Sequence, residues 1–267
     1  MTNIKIGVQI RPQHTTWEAY RDAWLWADEA GIDVIYTWDH FFPLFGTQPD
    51  NPYTNNHFEA WTLQAALGAQ TKRAQVSCLV HSMGYRNPAL LSNMAKTLDH
   101  ITNGRFVLGL GGGWAQRDYD EFGYDFGTPG SRLKRLERGL EIIKERWEKD
   151  QPKPVNGTIP ILIGGTGEKV TLRITAQYAD QWHGFGPPDS WAQKSGVLDE
   201  WCAKLGREPK SIERVCAARP EHFNVLDEYV QHGATQLVYG WDHPWDKGQL
   251  QELLAWRDKA NAGRSVS

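Results

Sequence analysis

The chain has 267 residues, 40% of them hydrophobic, and a formal net charge of −3. Mixed charge without a basic face argues against a nucleic-acid footprint, and no apolar run approaches the roughly 20 residues that span a bilayer. The N-terminal MTNIKIGVQIRPQHTT carries no signal-peptide h-region, and three scattered cysteines without a CxxC pair (Cys78, Cys202, Cys216) suit a reducing cytoplasm rather than a disulfide framework or a zinc knuckle.

From the N-terminus, IKIGVQI is apolar and β-branched and predicts a strand. The next segment opens at Thr15 with Glu18 three residues on, a capping-box pattern. Trp17, Tyr20, Trp24 and Ala27 then share a helical face, and Gly31 stands where a helix-ending glycine belongs. DVIYTW is a second strand, FEAWTLQAALGAQT a helix and QVSCLV a third strand. In RNPALLSNMAKTLDHITNGR, Asn87 caps, Pro88 takes the first helical position and a glycine closes the helix. RFVLGLG is a fourth strand, and SRLKRLERGLEIIKERWEK a long amphipathic helix. IPILIGG, DQWHGFG, ERVCAAR and TQLVYGW follow as strands five to eight, each with its own helix. Eight consecutive strand–helix units predict one parallel (β/α)₈ barrel over residues 1–267. Two long irregular stretches, residues 43–57 after strand two and the GGWAQRDYDEFGYDFGTPG run after strand four, are expected to be functional loops.

Catalytic residues of such barrels sit at the C-terminal ends of the strands. There the chain places Gln9 to Arg11, Asp39-His40, Leu79 to His81, Gly111 to Trp114, Gly164 to Gly167, Trp182-His183 and Gly240 to His243. The Asp39-His40 pair could be a cap, a metal site or a proton-transfer site. His40, His81, His183 and His243 are the conceivable metal ligands, but strand one lacks a His-x-His and no carboxylated lysine stands out, so no metal is expected. GGTGEK lies between a strand and a helix. Its backbone N–H groups at Gly165, Thr166 and Gly167, with Lys169 nearby, are suited to an anion, although it is not a Walker loop. GLGGGW is a second glycine-rich strand end, either a turn or a place where a ring approaches backbone.

Several of these motifs together resemble one family. YRNPALLSNMAKTLDHITNGRFVLGLGGGW resembles the signature segment of the bacterial luciferase-like superfamily, in its coenzyme F420-dependent branch. WDHFF and PILIGGTGEKVTLRITAQYADQW match the same branch, so the likeness runs over about residues 4–186, and more weakly through LGREPKSI and YVQHGATQLVYG. The resemblance implies a homodimeric barrel holding a deazaflavin at its C-terminal face. It implies that Asp39 contacts the ring system, that His40 is the catalytic proton donor or acceptor, and that a non-prolyl cis peptide at Leu79–Val80 supports the ring from behind. Gly111, Gly164, Gly165, Thr166, Gly167 and Lys169 complete the implied cofactor site. Gln9, Trp38, Phe42, His81, Trp114, Trp182 and His183 are expected to line the substrate space. Where sugar-phosphate dehydrogenase members carry a glutamate after the strand-four glycines, this chain has Trp114, which favours an apolar alcohol, ketone or enone substrate. The alternatives are an FMN-dependent monooxygenase of the same superfamily and a non-catalytic flavin-binding protein.

Overall fold

The computed structural model describes residues 3–46, 50, 51 and 53–264; part of the irregular stretch after strand two, residues 47–49 and 52, lies outside them. In chain order the elements are β1 (Lys5–Ile10), α1 (Trp17–Ala30), β2 (Val34–Thr37), α2 (Ala60–Gly68), β3 (Gln75–Cys78), β4 (His81–Ser82), α3 (Pro88–Ile101), β5 (Leu108–Gly111), α4 (Gln116–Phe122), α5 (Pro129–Lys149), β6 (Ile161–Gly164), α6 (Thr171–Tyr178), β7 (Gln181–Gly184), α7 (Pro188–Lys204), β8 (Glu213–Ala218), α8 (Leu226–Gln231), β9 (Gln236–Trp241) and α9 (Lys247–Arg264). The strands run in the order β3-β2-β1-β9-β8-β7-β6-β5-β4 and every pair is parallel. Hydrogen bonds from Val76 N to Arg105 O (3.1 Å) and from Val107 N to Val76 O (3.0 Å) join the two ends. The expected barrel is present, with nine strand segments instead of eight.

The extra segment is the third strand cut in two. β3 pairs with β2, whereas β4 pairs with β5, and the cis Leu79–Val80 peptide lies between them. Glycines on the neighbouring strands make the room. A Cβ on Gly109 would lie 2.0 Å from the Cys78 carbonyl oxygen, and Cβ atoms on Gly111 and Gly164 would lie 2.6 and 2.8 Å from the Val80 methyls.

Two apolar layers hold the barrel. Inside it, Val34, Tyr36, Val107, Leu162, Val215 and Val238 form a cluster against which Leu79 and Val80 pack from above. Outside it, strand residues meet the helices in a layer rich in indoles, with Trp24, Trp182, Trp191 and Trp241 fully buried. The periodic apolar faces therefore form as elementary amphipathicity predicts.

Local signals hold with small shifts. Asn87 caps α3 through its side chain and Pro88 opens it, and Gly31 ends α1 in the left-handed conformation. The α1 cap is Thr16 and not Thr15: its extended backbone lets Oγ1 accept from Ala19 N at 3.2 Å, while the Thr15 hydroxyl donates to Thr16 O. The stretch after strand four is not wholly irregular. It contains α4, which has no capping side chain and stops at Gly123, so its seven residues leave little periodic signal.

Candidate active site

Strand β2 ends at Thr37, and the chain then carries Asp39 and His40 over the C-terminal mouth of the barrel. His40 Nδ1 lies 2.6 Å from Asp118 Oδ2, a contact across 78 residues. Asp118, on α4, is buried; its other oxygen accepts Phe41 N–H at 3.1 Å, and the Tyr85 hydroxyl donates to Oδ2 at 3.0 Å. Burial works against this carboxylate, but the bonds from His40 and Phe41 outweigh it and hold its pKa below the ordinary value. Burial, reinforced by the Asp118 charge, pushes the Tyr85 phenol up. With Nδ1–H donating to the Asp118 carboxylate, Nε2 is the ring nitrogen of His40 left free of it.

Asp39 is built differently. Its carboxylate receives both arms of Arg86, at 2.6 and 2.9 Å, and the Ser82 N–H at 3.2 Å; Arg86 also reaches Glu59 at 2.7 Å. Burial raises the Asp39 pKa, yet the neighbouring His81 and the Arg86 charge overcome it and hold the group far below the carboxylate range. His81 Nδ1 sits 3.5 Å from Asp39, at the outer limit of a hydrogen bond, so bidentate Arg86 is the stronger anchor.

These residues open on a cavity of about 480 Å³ whose walls include Asp39, His40, Leu79, Val80, Gly111, Trp114, Gly164, Gly165 and His183. Burial depresses the His183 pKa to about 4, so it faces the cavity as a neutral imidazole near pH 7. Trp114 is 65% exposed and meets the His40 ring edge-on at 5.5 Å. A second hollow, of about 470 Å³, contains Thr166, Gly167 and Lys169 with Lys194, and shares Leu133 with the first. All nine positions expected to hold a cofactor therefore fall on two adjoining hollows.

One detail of the anion reading is corrected. Gly165 N–H is committed to His183 O at 3.1 Å, because it extends the β6–β7 ladder. Among the described residues the N–H groups of Thr166 and Gly167 have no protein acceptor, and α6 begins without a capping side chain.

Five residues expected to line the substrate space do not line this cavity. Trp182 is fully buried, stacks on Trp191 at 5.6 Å and donates to Gly165 O at 2.8 Å. Adjacent strand residues point to opposite faces, so His183 faces the cavity and Trp182 the core. His81 is buried and stacked on Trp61 at 4.2 Å. Gln9 donates to Leu79 O at 2.9 Å and so braces the strand break. Trp38 lies parallel to His57 and donates to it at 2.9 Å. Phe42 is covered by Arg117, whose guanidinium carbon lies 4.0 Å from the ring centroid. Asp118, Tyr85, Arg86 and Arg132 were not singled out from the sequence. Only their place within motifs such as YRNP hinted at them, and no spacing rule links Asp118 to His40. Among the described residues no cluster of three or more His, Cys, Asp or Glu could hold a metal ion.

A closed parallel barrel with its cavity, imidazole–carboxylate pair and glycine-walled shelf at the C-terminal strand ends is the architecture of a (β/α)₈-barrel enzyme. A family model described as luciferase-like monooxygenase matches residues 1–260, and the chain belongs to that family. Among curated proteins it is 26% identical over 279 residues to the pyrimidine monooxygenase RutA of Variovorax paradoxus (strain S110), covering 96% of this chain and 70% of that enzyme. It is also 26% identical to the same-named enzyme of Methylorubrum extorquens, over 92% of this chain and 66% of that one. Among solved structures, an F420-dependent secondary alcohol dehydrogenase in complex with an F420-acetone adduct superposes with a TM-score of 0.77 at 14% identity, covering 90% of this chain and 93% of that one. The oxygenating constituent of 3,6-diketocamphane monooxygenase from Pseudomonas putida, in complex with FMN, superposes with a TM-score of 0.63 at 20% identity, over 82% and 67% of the two chains. At these identities the superpositions speak for the fold.

Proposed function

We propose that the protein is a coenzyme F420-dependent oxidoreductase that moves a hydride between the deazaflavin and an apolar alcohol, ketone or enone. The observation that carries this reading is the His40–Asp118 pair opening on a cavity whose back wall is Val80, pressed between Gly111 and Gly164. The choice of F420 over FMN rests on the sequence motifs that resemble the F420 branch. The residues present fit such a group: a shelf of side-chain-free backbone for a flat ring, and an adjoining hollow with Thr166 and Gly167 N–H groups, Lys169 and Lys194 for its phosphate. When bound, the deazaflavin would give or take the hydride at a ring carbon.

The protein's own groups supply the rest. Asp118 orients His40 through Nδ1 and stabilises the imidazolium when it forms. In ketone reduction Nε2 gives a proton to the carbonyl oxygen as the carbon gains hydride; in alcohol oxidation it takes the hydroxyl proton. Arg86 holds Asp39 in place at the cofactor wall. Val80 presents an apolar wall to the reacting centre. The same resemblance implies a homodimer, and the scattered cysteines suit a reducing cytoplasm; light scattering on the purified chain would report its mass.

The likeness to RutA over most of the chain favours a second reading, an FMN-dependent monooxygenase. A non-catalytic flavin carrier has no use for an imidazole held by a buried carboxylate at the cavity. The test supplies reduced F420 with an aryl ketone, and in parallel reduced FMN with oxygen and the same ketone. Ketone-dependent oxidation of reduced F420 supports the proposal. Substrate oxygenation with FMN alone replaces it with the second reading.

A further inference from the structure

The Asp118 carboxylate is shared between donors. Its Oδ1 accepts Phe41 N–H at 3.1 Å, whereas Oδ2 takes two bonds, from His40 Nδ1 at 2.6 Å and from the Tyr85 hydroxyl at 3.0 Å. Tyr85 therefore donates to the same oxygen that holds the His40 ring. The ring of Tyr85 sits in an aromatic nest, with centroids 4.8 Å from Phe41, 4.9 Å from Tyr119 and 5.5 Å from Tyr124. A phenylalanine would fill that nest equally well, so packing does not account for the hydroxyl. The neighbouring Tyr119 hydroxyl, by contrast, pairs with Ser82 Oγ at 2.6 Å.

A hydrogen bond to the charged form of an acid stabilises that form and makes it a weaker base. The Tyr85 bond thus draws off part of the negative charge that Asp118 Oδ2 offers to His40. Burial and the Asp118 charge keep the phenol protonated, so it stays a donor. The other groups facing His40 are held constant. Asp39, next in the chain, is locked into Arg86. His57, ahead of α2, has a pKa of about 4 through burial and carries no charge near pH 7. Arg117, beside Asp118 on α4, is turned to Glu121 at 2.9 Å. Trp38 and Trp114 meet the imidazole edge-on, both at 5.5 Å, and are uncharged.

We infer that Tyr85 is a positioning residue of the proton-transfer step: by donating to the Asp118 oxygen that holds His40, its hydroxyl weakens the pull of that carboxylate on the ring and sets the pH range over which His40 gives up its proton. The part that His40 plays in the reaction rests on the proposed function; the coupling of the three side chains does not. In ketone reduction the proton leaves Nε2 for the carbonyl oxygen, and the positive charge beside Asp118 disappears with it. A carboxylate that binds the imidazolium less tightly lets that proton go more readily.

The test reads the His40 ring directly. Heteronuclear NMR of the histidine side chains follows its titration in the full-length chain without cofactor, and the His40→Gln chain identifies the signal. Tyr85→Phe keeps the aromatic ring and removes the donor, so the pH at which His40 titrates should rise by at least about half a unit. Fluorotyrosine placed at position 85 should lower it, because a more acidic phenol donates more strongly. The pH profile of ketone-dependent oxidation of reduced F420 should follow. That direction needs a protonated ring, so its alkaline limb should move up in Tyr85→Phe and down with fluorotyrosine. A His40 titration that neither replacement moves overturns the inference, as does a shift of the same sign in both. If Tyr85→Phe does not fold, the near-isosteric fluorotyrosine chain decides alone. Opposite shifts at His40 in a chain that does not oxidise reduced F420 support the coupling and remove the functional reading. F420 oxidation with one alkaline limb common to all three chains overturns the coupling and leaves that reading in place.

Discussion

On the β2 side of the barrel mouth, side chains bind side chains: His40 to Asp118 at 2.6 Å, Tyr85 to Asp118 at 3.0 Å, and Arg86 to Asp39 at 2.6 Å. On the β6 side, indoles grip backbone carbonyls: Trp182 that of Gly165 and Trp201 that of Glu168, both at 2.8 Å. The first arrangement holds ionisable groups in fixed pairs. The second ties a loop down by its carbonyls while N–H groups of Thr166 and Gly167 stay open. One mouth therefore contains a half suited to moving protons and a half suited to holding an anion, and substitutions on the two sides should separate turnover from cofactor affinity.

The largest effect is expected on the β2 side. General acid–base groups contribute about 10²–10⁴-fold in rate, so His40→Ala should lower turnover by at least about tenfold while F420 affinity, read by fluorescence titration, stays near wild type. Loss of binding with turnover per bound cofactor unchanged would erase the contrast between the halves.

Asp39→Ala should damage both cofactor binding and the fold. It strands Arg86, 12% exposed at its side chain, and removing one partner of a buried pair costs about 3–5 kcal/mol. Glu59 remains as a second partner for Arg86, which puts the expected loss at the lower end, measurable by urea unfolding.

Acid should act through two histidines. Burial holds His57 and His183 at pKa values of about 4, against an ordinary 6.5. Between those values the unfolded chain binds protons that the folded chain does not, so stability falls as pH drops from 6.5 towards 4. Each fully developed shift corresponds to roughly 3 kcal/mol. His183→Gln should flatten the measured stability–pH curve in that window; an unchanged curve would place this imidazole in water.

On the β6 side the effect is smaller and falls on affinity alone. A Cβ on Gly167 would lie 2.8 Å from Thr171 Oγ1, so Gly167→Val should displace the loop and weaken F420 by several-fold without lowering the melting temperature appreciably. Unaltered affinity would reduce GGTGEK to a turn.

The barrel was legible because strand and helix periods alternate along the chain and glycines punctuate them. The positions of Asp39, His40 and the GGTGEK loop at strand ends follow from that register alone. The break at Leu79–Val80 came from family resemblance, since QVSCLV is patterned as one continuous strand. The partner of His40 was hidden in a different way. Asp118 lies in a seven-residue helix without a cap, and only the closed barrel carries it over the β2 end. Trp182 turns into the core while His183 meets the cavity, because neighbouring residues at a strand end face opposite ways. A glycine-rich turn does not reveal which of its N–H groups the sheet still uses, and that of Gly165 is one it does.

The central claim is most directly tested by titrating the purified full-length chain with coenzyme F420 and with FMN side by side, following the quenching of each cofactor's fluorescence. The account predicts saturable F420 binding at least about tenfold tighter than FMN, a difference of about 1.4 kcal/mol. Tight FMN binding with no saturable F420 binding would contradict it.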